Sequence, residues 1–162
     1  MQVAFAAHAD QKRKYTGDPY TSHLAEVAGI VAAATGSDEA VSIAWLHDTI
    51  EDTATSFEDL HGIFGLRIAA SVVTLSDLET VGNRAARKAA ARVRLAAAPP
   101  MVQTIKVADI ISNTSSIVLH DPKFARVYLP ECVALLNVLA KADSRLLKMA
   151  WNQISKTSLE AA

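Results

Sequence analysis

Apolar stretches recur along the chain at helical intervals, separated by short polar breaks. Gly17, Asp18 and Pro19 interrupt it early. Thr21 or Ser22 then offers a cap for a helix running through Ala34, which Gly36 stops. Ser37, followed by Asp38 and Glu39, predicts a second helix carrying Ile43, Trp45, Leu46 and Ile50, with His47, Asp48, Glu51 and Asp52 in its last turns. Thr55 with Glu58 reads as a capping box, and Gly65 separates that short helix from the apolar run Ile68 to Leu75. Further helices are predicted from about Arg84 to Ala97, Pro100 to Asn113, Pro122 to Ala140 and Asp143 to Gln153. Asp121 is a good cap for the third of these, and Pro122 suits its first position. No repeat or linker divides the pattern, which predicts one domain over residues 1–162 with its core at about 3–155.

Composition supports helices. Half the residues (51%) are apolar but only 6% are aromatic, and Ala, Leu, Val and Ile dominate, which favours an all-α fold. The net charge of −1 gives no overall attraction to nucleic acid or membrane, so an anionic ligand must be drawn by a local basic patch. Cys132 is the single cysteine. It excludes an intrachain disulfide and fits a reducing, cytoplasmic compartment. The N-terminal basic residues follow the apolar ones, the reverse of a secretory signal. Uncharged runs such as Val27 to Ser37 fall far short of the roughly 20 residues that span a bilayer. The apolar C-terminal stretches, Val127 to Ala140 and Leu146 to Trp151, suit either a homo-oligomer contact or the core of one chain, and periodicity does not decide.

The chemistry concentrates in His47-Asp48-Thr49-Ile50-Glu51-Asp52, one imidazole and three carboxylates at the end of an apolar helix. On a helix His47 and Glu51 share a face, as do Asp48 and Asp52. A cation there would relieve repulsion among the carboxylates and take His47 and Asp48 as ligands. Two ligands are too few for a catalytic divalent ion. His23, opening the helix after the early turn, and Asp109, a lone carboxylate after Ile105-Lys106-Val107-Ala108, are the candidates to complete it.

The order His23, His47-Asp48, Asp109 resembles the H…HD…D signature of HD-domain phosphohydrolases. Gly17-Asp18-Pro19-Tyr20 with His23, Leu46 to Thr53, Phe64-Gly65, and Lys106 to Asp109 with Asn113 resemble the hydrolase domain of RelA/SpoT-type proteins and the small alarmone hydrolases. The resemblance implies a single HD-domain helical bundle and one divalent ion, usually Mn²⁺, held by His23, His47, Asp48 and Asp109. It also implies hydrolytic release of the 3′-pyrophosphate from a nucleotide polyphosphate such as ppGpp. Glu51 and Asp52 would then activate water and handle protons, in an order left open, and Asn113 and, less directly, Ser116 would contact the ligand. No synthetase region accompanies these motifs, so alarmone synthesis is not expected.

Departures from the family bear on specificity. Lys14 and Tyr15 stand where relatives carry an Arg-Lys pair; Lys14 can attract phosphate without a bidentate fork, and Tyr15 can stack on a purine. Ile110-Ile111-Ser112-Asn113 replaces Arg-Leu-His-Asn, which leaves guanosine against adenosine open. Arg84, Arg87, Lys88 and Arg92 share one helical face, either a wall for the polyphosphate, with Arg84 and Lys88 foremost, or an ordinary solvated surface. His8, His61 and His120 have no companions at ligand spacing and are given no role. The alternatives to an alarmone hydrolase are another HD-type nucleotidase or phosphodiesterase, and a catalytically silent alarmone-binding module.

Overall fold

Ten helices make up the ordered framework of the computed structural model, which describes residues 1–78 and 82–160, the last three by backbone alone. They are α1 (Gln2–Ala7), α2 (Thr21–Thr35), α3 (Asp38–Leu46), α4 (Thr49–Asp52), α5 (Phe57–Phe64), α6 (Leu66–Leu75), α7 (Arg84–Ala97), α8 (Pro100–His120), α9 (Pro122–Leu136) and α10 (Ser144–Glu160). Among the described residues there is no strand, only an isolated bridge between Lys12 and Pro19. No described helix is long and apolar enough to cross a membrane.

The longest helix, α8, is the axis of the bundle: α2, α3, α6, α7, α9 and α10 all pack on it. Accordingly it is buried on most sides, with Val102, Ile105, Val107, Ala108 and Ile110 in the core. The C-terminal helices contribute Leu136, Leu146, Ala150 and Ile154 to the same core. Val127 and Met149 of the same stretches are exposed.

Several boundaries differ from the sequence expectation. Ser37 caps α3 by accepting from the Ala40 N–H, and Asp121 caps α9 by accepting from Phe124, both as predicted. Neither Thr21 nor Ser22 caps α2, whose N-terminal flank is Tyr20. The capping box before α5 is Ser56 with Asp59, one residue later than Thr55 with Glu58, because Thr55 is engaged with the Thr53 hydroxyl. The segment before the first turn is helix α1, too short for periodicity to register. Helix α8 continues to His120, since nothing breaks it before Asp121-Pro122. Helix α9 ends at Leu136 rather than Ala140 because buried α8 side chains capture the backbone that follows. Gln103 accepts from the Lys141 N–H at 2.9 Å and Thr104 from Asp143 at 3.0 Å. The Gln103 amide also donates to Leu95, Ala96 and Ala98 carbonyls, tying the end of α7 to the same point.

Candidate functional site

The predicted helix through Asp52 is broken. His47 turns its Nδ1 back to the Ala44 carbonyl at 2.7 Å, α3 ends at Leu46, and Asp48 starts the new short helix α4. Glu51 and Asp52 therefore lie in the single turn of α4 and not in the last turn of one long helix.

The break brings His47 and Asp48 against His23 on α2 and Asp109 on α8. His23 Nε2 lies 3.5 Å from Asp48 Oδ2 and 3.4 Å from Asp109 Oδ1; for His47 Nε2 the distances are 3.1 and 3.8 Å. Ligand atoms of His23, His47 and Asp109 all fall within 4.8 Å of one another. Both Nε2 atoms are buried without a hydrogen-bond partner, an expensive arrangement unless they serve as ligands. The opposite nitrogens explain their readiness. His47 Nδ1 faces a carbonyl, which only accepts, so in the neutral ring it carries the hydrogen and Nε2 has the lone pair. With both rings neutral, the two Nε2 atoms and two carboxylates fit a divalent cation.

Charge reinforces this reading. Burial alone would raise the Asp48 and Asp109 carboxyls, but His47 beside Asp48, and Lys106 beside Asp109, hold both below the usual range. Lys106 donates to Asp109 Oδ2 at 2.8 Å and Asn113 to its Oδ1 at 2.6 Å. Burial lowers the His47 pKa, yet Asp48 and Asp109 more than reverse it and lift it to about 10. A divalent cation satisfies the same carboxylates with neutral imidazoles, so its binding here releases protons.

Asp48 and Asp109 open onto a cleft of about 230 Å³ that Glu51, Asp52, Lys88, Arg92, Lys106 and Asn113 also line. Burial raises both Glu51 and Asp52 above the ordinary carboxyl value. Glu51 is fixed by accepting from the Asp77 N–H at 2.7 Å, and Lys88 faces the cleft while bonded to Asp77 at 2.8 Å. Arg84 is not part of this wall: it makes a bidentate pair with Glu131 at 2.7 and 2.8 Å and lies over Phe124.

A second cavity of about 150 Å³ gathers Arg13, Lys14, Tyr15, Tyr20, His23, Asn113 and Ser116. Asn113 and Tyr20 line both spaces and join them. Here Lys14 lies 4.9 Å above the Tyr15 ring, whose hydroxyl donates to Asp121 and whose face stacks on His120.

Sequence reasoning gave Tyr20 no role of its own, yet its hydroxyl donates to Asp48 Oδ2 at 2.6 Å. Its position three residues before His23 was the available signal. His8, given no role from the sequence, is buried with its Nδ1 bonded to Gln11 and its ring stacked on Tyr20 at 5.0 Å.

Known proteins resemble this chain in sequence and in fold. The family model described as HD domain matches residues 1–142. The GTP pyrophosphokinase rsh of Brucella ovis is 34% identical over 130 residues, covering 76% of this chain and 17% of that protein. The guanosine-3′,5′-bis(diphosphate) 3′-pyrophosphohydrolase of Aquifex aeolicus is 32% identical over 118 residues, covering 72% and 17%. The bifunctional (p)ppGpp synthase/hydrolase SpoT of Escherichia coli is 36% identical over 105 residues, covering 65% and 15%. The chain thus spans about a sixth of the length of these curated relatives. Among solved structures, a metazoan ortholog of SpoT that hydrolyzes ppGpp superposes with a TM-score of 0.87 at 23% identity, covering 97% of this chain and 92% of that one. From the matched model, with the histidines and aspartates of the signature gathered at one point, the chain belongs to the HD-domain family.

Proposed function

We propose that this HD domain hydrolyses the 3′-pyrophosphate of nucleotide alarmones of the (p)ppGpp or (p)ppApp type, using one divalent cation, Mn²⁺ by preference. The observation that carries the proposal is the pair of unpartnered imidazole nitrogens flanked by Asp48 and Asp109, opening onto a cleft that holds both carboxylates and cations. The relative named as a 3′-pyrophosphohydrolase in Aquifex aeolicus supports this substrate class.

His23, His47, Asp48 and Asp109 would hold the ion, which when bound supplies neutralisation of phosphoryl charge and a lower pKa for water. Glu51 and Asp52, raised by burial, take and return protons within the cleft. Lys88, Arg92 and Lys106 draw in the polyphosphate. The second cavity, with Lys14, Tyr15 and Ser116, takes the nucleoside, and Asn113 bridges the two spaces. A reduced, buried Cys132 accords with a cytoplasmic site of action.

The test is turnover of ppGpp and pppApp side by side with excess Mn²⁺, following pyrophosphate, with Asp48→Ala and Glu51→Ala as controls. Release that vanishes in both variants is expected, and the ratio of the wild-type rates gives the base preference. Wild-type protein that releases pyrophosphate from neither nucleotide overturns the proposal, and monophosphate release from other nucleotides would then point to a different HD phosphohydrolase.

A further inference from the structure

The two imidazoles of the cluster are oriented by different means. His47 is held by the backbone carbonyl of Ala44, three residues back in the same segment. His23 has no such local partner. Its Nδ1 lies 2.9 Å from the Ser112 hydroxyl, across the α2–α8 contact, and both residues are buried. A hydroxyl can donate or accept, so by itself it would not select a tautomer. Ser112 is not by itself, however: its Oγ donates to Glu26 Oε2 at 2.7 Å. With the hydroxyl hydrogen committed to a carboxylate, only lone pairs remain for His23, and Nδ1 must be the nitrogen that bears hydrogen. Arg13 Nη1 lies 3.7 Å from the same Glu26 oxygen.

We infer that Ser112, backed by Glu26, is a positioning residue that fixes the tautomer and orientation of His23 and so presents its Nε2 lone pair to the cation. The inference rests on His23 being a metal ligand. The relay replaces the carbonyl used by His47 with a side-chain acceptor made unidirectional by a carboxylate one helical turn from His23. Ser112→Ala removes the acceptor, leaving a buried Nδ1–H unpaired and letting the ring reverse its tautomer. Glu26→Ala leaves the hydroxyl in place but frees its hydrogen. Glu26 is exposed, so its removal spares the core.

The experiment is titration of the metal-free protein with Mn²⁺ by calorimetry, for wild type, Ser112→Ala, Glu26→Ala and His47→Ala. It is paired with the His23 Nδ1–H proton resonance in the zinc-loaded, diamagnetic protein. Ser112→Ala is expected to lower Mn²⁺ affinity about ten- to a hundredfold and to abolish the slowly exchanging Nδ1–H signal. Glu26→Ala should lower affinity less, in the same direction, and speed exchange of that signal. If wild type and both variants bind Mn²⁺ equally while His47→Ala does not, the relay is overturned and the metal site stands. If wild type binds no better than His47→Ala, the metal site itself is overturned, and the relay with it. Should Ser112→Ala fail to fold, unchanged affinity and an unchanged signal in Glu26→Ala overturn the relay.

Discussion

On one side of the cleft, His23, His47 and Asp109 are buried, and each is held by another group: Ser112, the Ala44 carbonyl, and Lys106 with Asn113. On the other side, the cations of α7 lie nearer to solvent, with Lys88 paired to Asp77 and Arg84 to Glu131. The difference is one of dielectric and freedom. A buried cluster whose side chains are already held in place costs little reorganisation when a divalent ion or a developing charge appears beside it, whereas a solvent-accessible ion pair is weaker, screened by salt and more easily exchanged for a ligand phosphate. Under the proposed function the first wall serves the chemistry and the second the attraction of substrate.

The strongest way to break that contrast is at the buried wall. Asp48→Ala or His47→Ala should reduce pyrophosphate release roughly a thousandfold or more, since a metal contributes several kcal/mol to transition-state stabilisation. Steady-state assays at saturating Mn²⁺ check this, and loss of less than tenfold would remove the distinction between the walls. Asp109→Ala should in addition destabilise the fold by about 3 kcal/mol in urea unfolding, because Lys106 loses the partner that offsets its burial.

Glu51→Gln should lower kcat about 10²- to 10⁴-fold while leaving Mn²⁺ affinity close to wild type. Burial raises the folded-state pKa of Glu51 and Asp52, so their ionisation is delayed relative to the unfolded chain. Turnover that needs an ionised Glu51 therefore rises with pH through a limb lying above the ordinary glutamate value of about 4.3. Over the same window these two groups make the fold less stable as pH rises, since the folded state has the higher affinity for their protons. A pH–rate profile of wild type whose acid limb lies at or below that ordinary value would contradict the assignment.

At the more solvent-accessible wall the effects shrink. Lys88→Ala should raise KM about tenfold, or about 1.4 kcal/mol, with little change in kcat, and added salt should raise the wild-type KM in the same sense. Arg84→Ala should leave both kinetic constants unchanged and alter stability by no more than about 1 kcal/mol. An Arg84 effect on KM as large as that of Lys88 would show that the whole face of α7 meets substrate.

Arg84 also shows where sequence reading runs out. Offsets of 3, 4 and 8 from Arg84 put Arg87, Lys88 and Arg92 on its face, but Glu131, 47 residues away on α9, captures Arg84 and not Lys88. Gln103 is a similar case. Its four hydrogen bonds reach the end of α7 and the loop before α10, and no spacing around residue 103 announces them. The helical segments from Thr21 onward were legible, because the 3.6-residue period and the caps at Ser37 and Asp121 act within a few residues. The break at His47 was not, because a run of good helix residues does not reveal that an imidazole will take the Ala44 carbonyl.

The sequence by itself determined an all-α chain, its principal helices, and the order of imidazoles and carboxylates able to bind a divalent ion. Only the tertiary structure decided which nitrogen of each histidine faces the cluster, which cations line the cleft, and that Tyr20 and Ser112 belong to the site. The reason is directional. Helical period depends on backbone geometry common to all residues, while a hydrogen bond depends on where one atom of a distant segment comes to rest.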